Sequence, residues 1–590
     1  MKSNRIVNKL LPPQSRRRNL VKAVLIHQKT RSFTPNPNYS QWIKDIEPPL
    51  FDSTIKVERG PLISIVVPCY NTPLKYFYPL LESVRSQTYA NWQLCIVDGS
   101  NDKLSSENIK ELCSNDKRIV YKKINKNLGI SRNTNEAISM AGGQYIALLD
   151  HDDTISPHAL NELASVIKNK PDTDIIYSDE DKLSEDGKER VLPFFKPDWS
   201  PELLLGVNYI THFLVVRSKL LIQVGNLRPQ FDGAQDYDLM LRLSEVSNKI
   251  VHIPKVLYHW RLAEGSTAKV VSEKDYATIA GREALQEALN RRQLAAKALE
   301  VQSHPTNYRP KYSLNSKPPL VSIIIPFKDK VKLLKQCLPS ILEKSTYQNY
   351  ETILISNNST EDATFRYLEE IKKESRCKVY IWNHQFNYSA INNYGRKQAS
   401  GEYLVFLNND TEIITPQWLE ELVGVASQKD IGAVGPLLLY PNHRIQHAGV
   451  VLGMGGMAGH VFRSRKEGEW TDFGLTTWPR NYLAVTGACL TLKTEKFDEA
   501  GGFDERLRIG GNDIALCLSL YKKGWRNVFW PFVQLIHYEN MSVGPYDKNV
   551  PIEDYNQSLK YYKPFLDKGD PYFNPNLSLD DEAVSLRGMS

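Results

Sequence analysis

The chain repeats itself at long range. Ile63-Ser64-Ile65-Val66-Val67-Pro68 returns as Val321-Ser322-Ile323-Ile324-Ile325-Pro326, and Gly143-Gln144-Tyr145-Ile146-Ala147-Leu148-Leu149 returns as Gly401-Glu402-Tyr403-Leu404-Val405-Phe406-Leu407, both 258 residues later. A single long period of this kind marks two copies of one folding unit. Two units also suit the length, since 590 residues exceed what one hydrophobic core organises.

Within each copy, short β-branched runs alternate with helix-like stretches. Ile63–Pro68, Tyr78–Gln87 and Gln93–Val97 read as strand, helix, strand, and Leu320–Pro326, Leu333–Leu342, Glu351–Ser356 and Ala363–Lys373 repeat the order. Near-continuous apolar strands joined by helices predict an α/β fold with a doubly wound, mainly parallel sheet flanked by helices in each copy. Ligands are then expected outside the carboxyl ends of the strands. Lys274–Leu299 lacks proline and is rich in Ala, Glu, Leu and Arg, so it reads as a helix closing the first copy. The expected division is a basic segment over 1–59, a first domain over 60–300, a polar proline-bearing linker over 301–318, and a second domain over 319–590.

Charge and cysteine content narrow the function classes. Net charge is +7, and the first 31 residues carry nine Lys or Arg and no acid. Interleaved with Leu10, Leu11, Leu20, Val21, Val24, Leu25 and Ile26, they make either a solvated tail or a basic amphipathic segment for the anionic face of an inner membrane. The rest is nearly neutral and lacks basic-aromatic interleaving, which argues against nucleic acid. Seven scattered cysteines without Cys-x-x-Cys spacing read as buried thiols. No stretch looks like a signal peptide or a membrane-spanning run, so a cytoplasmic protein with peripheral membrane contact is expected.

The chemistry gathers at strand ends. The strand after Gly-x-Tyr runs into Asp150-His151-Asp152-Asp153 in the first copy and Asn408-Asn409-Asp410 in the second. Asp152 and Asp410 keep the repeat spacing. Carboxylates on a rigid strand end suit a hard divalent cation, Mg²⁺ or Mn²⁺, which takes oxygen ligands from protein and diphosphate together. The competing reading makes Asp153 or Ser156 a cap for the helix near Pro157.

These residues stand in an order that resembles glycosyltransferase family 2: Pro68-Cys69-Tyr70-Asn71, Asp98-Gly99-Ser100, Asn125 to Asn133 with Arg132, then Asp-x-Asp, Phe195-Lys196-Pro197-Asp198-Trp199-Ser200-Pro201, and Gly233-Ala234-Gln235-Asp236-Tyr237-Asp238. The second copy is similar to rhamnosyltransferase-type members through Phe386 to Asn393 and Ile445-Gln446-His447-Ala448-Gly449. The resemblance covers about residues 60–265 and 318–545. It implies two tandem GT-A-type domains and inverting transfer from UDP- or dTDP-sugars, with Asp236 and Asp513 as general bases. A base needs only hydrogen-bond reach to the acceptor hydroxyl; the bland alternative is that each acid caps the following helix. The resemblance further places His259 and His537 with the metal or diphosphate. It assigns the donor to Pro68, Tyr70, Asn71, Asp98, Arg132 and Asp150 in the first copy, and to Pro326, Ser356 and Asn408 in the second.

The second copy departs from this pattern. Ser356 replaces Asp98, Asn408 replaces Asp150, Ala515 replaces Asp238, and Gly449–Gly459 is an insertion expected to form a flexible lid or acceptor loop. Two functions follow. A bifunctional enzyme would add two sugars to a surface polysaccharide or O-antigen-like glycan on a lipid carrier; alternatively the second copy only holds the acceptor. A sugar-phosphate nucleotidyltransferase would want a glycine-rich basic loop where Pro68-Cys69-Tyr70-Asn71 stands.

Overall fold

A computed structural model describes residues 37–51, 56–263, 271–314, 317–539 and 550–589. The basic residues 1–31, and with them the membrane expectation, lie outside the described residues. Among the described residues no helix is long and apolar enough to cross a membrane. All seven cysteines are buried and unpaired, as their scatter suggested.

The first domain is built on β1 (Ile63–Cys69), β2 (Trp92–Asp98), β3 (Ile119–Lys123), β4 (Tyr145–Leu148), β5 (Thr154–Ile155), β6 (Ile175–Leu183), β7 (Arg190–Phe194), β8 (Val215–Arg217) and β9 (Ile250–Arg261). Their order is β3-β2-β1-β4-β8-β6-β9-β5, with β7 beside β6. The β3-β2-β1-β4 part is parallel, while β8 runs antiparallel to both its neighbours. The sheet is thus mixed, with a parallel half that presents its carboxyl ends together.

The second domain repeats this topology. Its strands run Cys377–Trp382, Tyr350–Asn357, Val321–Phe327, Tyr403–Leu407, Cys489–Lys493, Ile431–Leu439, Arg526–His537 and Thr411–Ile413 across the sheet. Period-2 alternation divides each central strand between two cores. Ile63, Ile65 and Val67 enter one core with Phe77, Leu80 and Leu81 of the helix Leu74–Arg85, while Val66 enters the other with Ala137. Val321, Ile323 and Ile325 are divided from Ile324 in the same way.

The two repeated motifs recur because they touch. Gly143 donates its N–H to the Ser64 hydroxyl at 2.9 Å, and Gly401 to Ser322 at 2.8 Å. A Cβ on Gly143 would stand 2.7 Å from Leu62 O and Ser64 N, so only glycine allows this approach of β4 to β1.

Three expectations change. The helix closing the first domain spans Val271–Arg291, and Ala296–Glu300 forms a hairpin with Tyr308–Tyr312, so the stretch read as a linker carries a strand. Asp153 does not cap the helix Ala159–Asn169, whose N-cap is His158. The glycine-bearing insertion is a packed hairpin, Val450–Leu452 with Ala458–His460, pinned by the C-terminal segment: Leu452 N–H donates to Asp570 and His460 N–H to Glu582. Its glycines serve turns and close approach; Gly449, at φ +121°, lies against the Tyr482 ring.

The domains share a core and a polar seam. Tyr39 and Trp42 of the helix Pro37–Asp45 pack with Phe195 and Val256 of the first domain and with Leu437, Phe473 and Phe573. Glu202 is buried and accepts two bonds from Arg526 at 2.8 and 3.0 Å and one from Asn481 at 2.5 Å. Asn574 clasps both oxygens of Asp179, at 2.9 and 3.0 Å. Substituting Glu202 by Ala strands Arg526 and Asn481 at this seam. Urea unfolding is expected to show a loss of about 3 kcal/mol; a change below about 0.5 kcal/mol would mean the seam is solvated.

Candidate functional site

In the first domain the acids lie where β4 leaves the sheet. Leu149 N–H extends the ladder to Val66 O, and Asp150 N–H donates to the Tyr258 hydroxyl at 3.2 Å. β5 then pairs with β9, setting His259 opposite Thr154, two residues beyond Asp152. Asp153 is buried and pinned by Tyr258 Oη at 2.5 Å and Arg261 N–H at 2.7 Å, while Arg261 Nε donates to Asp152 O at 2.7 Å. Asp153 therefore holds the turn to β9.

Charge is concentrated here. Burial, with the Asp152 and Asp236 charges beside it, pushes the Asp150 carboxyl up to about 7. Burial and the charges of Asp152 and Asp150 likewise hold Asp153 well above the usual carboxylate range. His212 belongs to no motif; it lies on the segment leading into β8, which the Leu148 N–H to Leu214 O bond ties beside β4. Its ligand nitrogen lies within 4.8 Å of ligand oxygens on Asp150 and Asp153. Its ring stacks on Tyr258 at 4.4 Å, and burial pulls its pKa down to about 4, so it is neutral at neutral pH.

Asp236 lies in the first turn of the helix Gln235–Val246. Its oxygens accept from Tyr237 N–H and Asn208 Nδ2, both at 2.9 Å, and burial raises its pKa. Asp238 is buried and paired with Arg228 and Arg242, an ion-pair cluster for which Ala515 in the second domain has no carboxylate.

His259 offers Nδ1 to Asp181 Oδ1 at 2.7 Å. Asp181 is fully buried and also accepts from Tyr39 Oη and Arg190 Nε, each at 2.6 Å.

In the second domain Asp410 and His537 meet directly, Oδ1 to Nε2 at 3.2 Å. His537 Nδ1 lies 2.7 Å from Gln446 Oε1, and Asn408 Nδ2 is 3.4 Å from Nε2. Asp513, in the first turn of Asn512–Lys522, accepts from Gly487 N–H at 2.7 Å and Ile514 N–H at 2.8 Å. Beside it His447 and His460 face each other, Nδ1 to Nδ1 at 2.9 Å, both held toward the neutral form by burial.

Of the residues expected on the donor side, Pro68, Tyr70, Asn71 and Asp98 lie at the carboxyl ends of β1 and β2. Pro68 is buried in β1, Tyr70 is exposed, and Asn71 sits at φ +48° with its N–H on Ser100 Oγ. Asp98 is buried; burial would raise its carboxyl, but bonds from Ser100, Ser106 and Tyr121 bring it below the usual range. Arg132 is exposed on the helix Ile130–Ser139. In the second domain Pro326 is half-buried, and Ser356 is buried and bonded to Ser359. A carboxylate survives nearby: Asp329 accepts the N–H groups of Thr360 and Glu361.

Both sites offer carboxylate oxygens and imidazole nitrogen, a donor set suited to Mg²⁺ or Mn²⁺. Burial, and after it the charges of Asp152 and Asp236, raise Asp150, and a bound cation would offset both.

Each α/β domain sets an acid just past a strand of its sheet and a further acid in the first turn of a helix. Residues 64–225 and 322–472 match the sequence model of Glycosyl transferase family 2. The chain belongs to that family, and its two tandem α/β domains share one topology. It is 43% identical over 95% of its length to the O-antigen biosynthesis protein RfbC of Myxococcus xanthus, covering 44% of that protein. It is 41% identical over 89% of its length to an uncharacterized protein of Sinorhizobium fredii, covering 58%. The chain thus spans about half the length of these relatives. Among solved structures, GalNAc-T7 with UDP, GalNAc and Mn²⁺ aligns with 42% of this chain and 49% of its own, at 18% identity and a TM-score of 0.35.

Because the folded Asp150 carboxyl titrates near 7, above its ordinary 3.8, its contribution to stability is full below pH 4 and lost as pH rises through 7. In chelator, Asp150→Asn is expected to gain stability relative to the wild type between pH 4 and 8, read by urea unfolding. Parallel pH profiles would contradict this.

Proposed function

We propose that the chain is a bifunctional inverting glycosyltransferase, each domain moving one sugar from a nucleotide-sugar donor, UDP- or dTDP-linked, to a growing surface polysaccharide or O-antigen-like glycan on a lipid carrier. The observation that carries this is the recurrence of one acid in one setting. Asp236 and Asp513 each open a helix and each accept two hydrogen bonds, one from the next residue's N–H.

In this reading the acceptor hydroxyl approaches Asp236 or Asp513, which takes its proton as the oxygen bonds to the anomeric carbon. The bond from that carbon to the diphosphate oxygen breaks on the opposite face, so one displacement inverts the centre. Burial raises the proton affinity of Asp236, which favours a base. Asn208 Nδ2 and Tyr237 N–H hold the Asp236 carboxylate in place, and Gly487 N–H and Ile514 N–H that of Asp513. A divalent cation, held by Asp152 and His259 or by Asp410 and His537, would neutralise the departing nucleoside diphosphate. Tyr70, Asn71, Asp98, Arg132 and Asp150 line the donor side of the first site, and Pro326, Ser356 and Asn408 that of the second. The name of the Myxococcus relative supports the glycan class.

A second reading makes only the first domain catalytic, with the second holding the acceptor. Ser356 and Asn408, neutral where the first site has Asp98 and Asp150, favour it. Asp236→Asn and Asp513→Asn separate the two. In the bifunctional reading each change lowers one linkage by about 10²–10⁴-fold and spares the other, measured by mass spectrometry of products from a lipid-linked acceptor with Mn²⁺ and a panel of nucleotide sugars. If Asp513→Asn leaves every linkage intact, the second reading holds.

A further inference from the structure

The two site histidines are backed differently, and nothing in the motifs foretells it. His259 Nδ1 lies 2.7 Å from a carboxylate, Asp181, and His537 Nδ1 lies 2.7 Å from an amide oxygen, Gln446 Oε1. Either partner can accept from Nδ1–H, which directs Nε2 toward the place a cation would take. Nε2 is the nitrogen that meets Asp410 in the second site. Only the carboxylate adds negative charge to the imidazole, and such a partner behind a metal-binding histidine raises its strength as a ligand.

Asp181 is itself held firmly. It is fully buried, with Oδ2 accepting from Tyr39 Oη and Arg190 Nε, and Arg190 completes a fork on Glu47 at 2.7 Å from each oxygen. Tyr39 and Glu47 come from the segment before the first domain, so that segment helps aim His259.

We infer that Asp181, set by Tyr39 and Arg190, is a positioning residue that makes His259 the stronger cation ligand, and that Gln446 leaves the second site with the weaker one. The inference rests on the proposed function, in which both sites take a divalent cation.

The test is Mn²⁺ binding to the full chain, followed by the electron paramagnetic resonance of free Mn²⁺, with and without UDP. Wild type is expected to show two classes of site of unequal affinity, with His259→Ala removing the tighter. Asp181→Asn, which keeps an acceptor oxygen, should weaken the tighter class by about 10–100-fold and spare the other. Gln446→Glu should tighten the weaker class; it leaves the Arg190 ion pairs alone and so decides the matter even if Asp181→Asn does not fold. Affinities unchanged within about twofold in both variants, while His259→Ala and His537→Ala still abolish binding, would overturn the positioning role and leave the cation reading intact. Binding indifferent to both histidine changes would overturn the two together.

Discussion

The first site is governed by the burial of carboxylates that the fold holds together. Asp150 and Asp236 arrive from a strand end and a helix start; burial raises both, and the charges of Asp152 and Asp236 add to the rise at Asp150. Each acid outside the reacting group is answered locally. Asp153 is tied to Tyr258 and Arg261, Asp238 to two arginines, and Glu180 to Lys182 and Lys196, which hold its carboxyl well below the usual range against the cost of burial. Asp150 is left with the surplus. The second site eases the same problem by composition, since Asn408 replaces Asp150 and Asp410 lies against His537.

The fold was legible because its signals are local or repeated. The buried runs of β1 and β4, the Gly-x-Tyr approach and the spacing of the copies each reflect contacts made inside one sheet. Motif residues fall at the ends of elements, Asp152 and Asp410 just past strands and Asp236 and Asp513 in the first turns of helices. His212 and Asp181 were not legible in this way. Asp181 lies in Ser178-Asp179-Glu180-Asp181, an acidic run that looks solvent-facing, yet all four residues are buried in β6. Their partners come from the N-terminal helix, β7, β9 and the C-terminal segment, distances that no local pattern encodes. The insertion at Gly449 misled for the opposite reason: glycine reported backbone geometry and close packing there, while a flexible loop was the local inference.

The seam between domains joins these facts. Asp179, clasped by Asn574, and Asp181, held by Tyr39, are two residues apart on one strand. The first site is therefore braced from the chain's two ends, through positions that no catalytic motif contains. Substitutions in the N-terminal helix or near residue 574 act on the site through this strand rather than through substrate contact.

In the proposed function both domains hold a cation between the strand-end acid and the histidine of the last strand. A crystal grown with Mn²⁺ and UDP, read by anomalous scattering at the manganese edge, should show one peak between Asp152 and His259 and another, of lower occupancy, between Asp410 and His537. Density only among Asp150, Asp153 and His212, or none at either histidine, would contradict it.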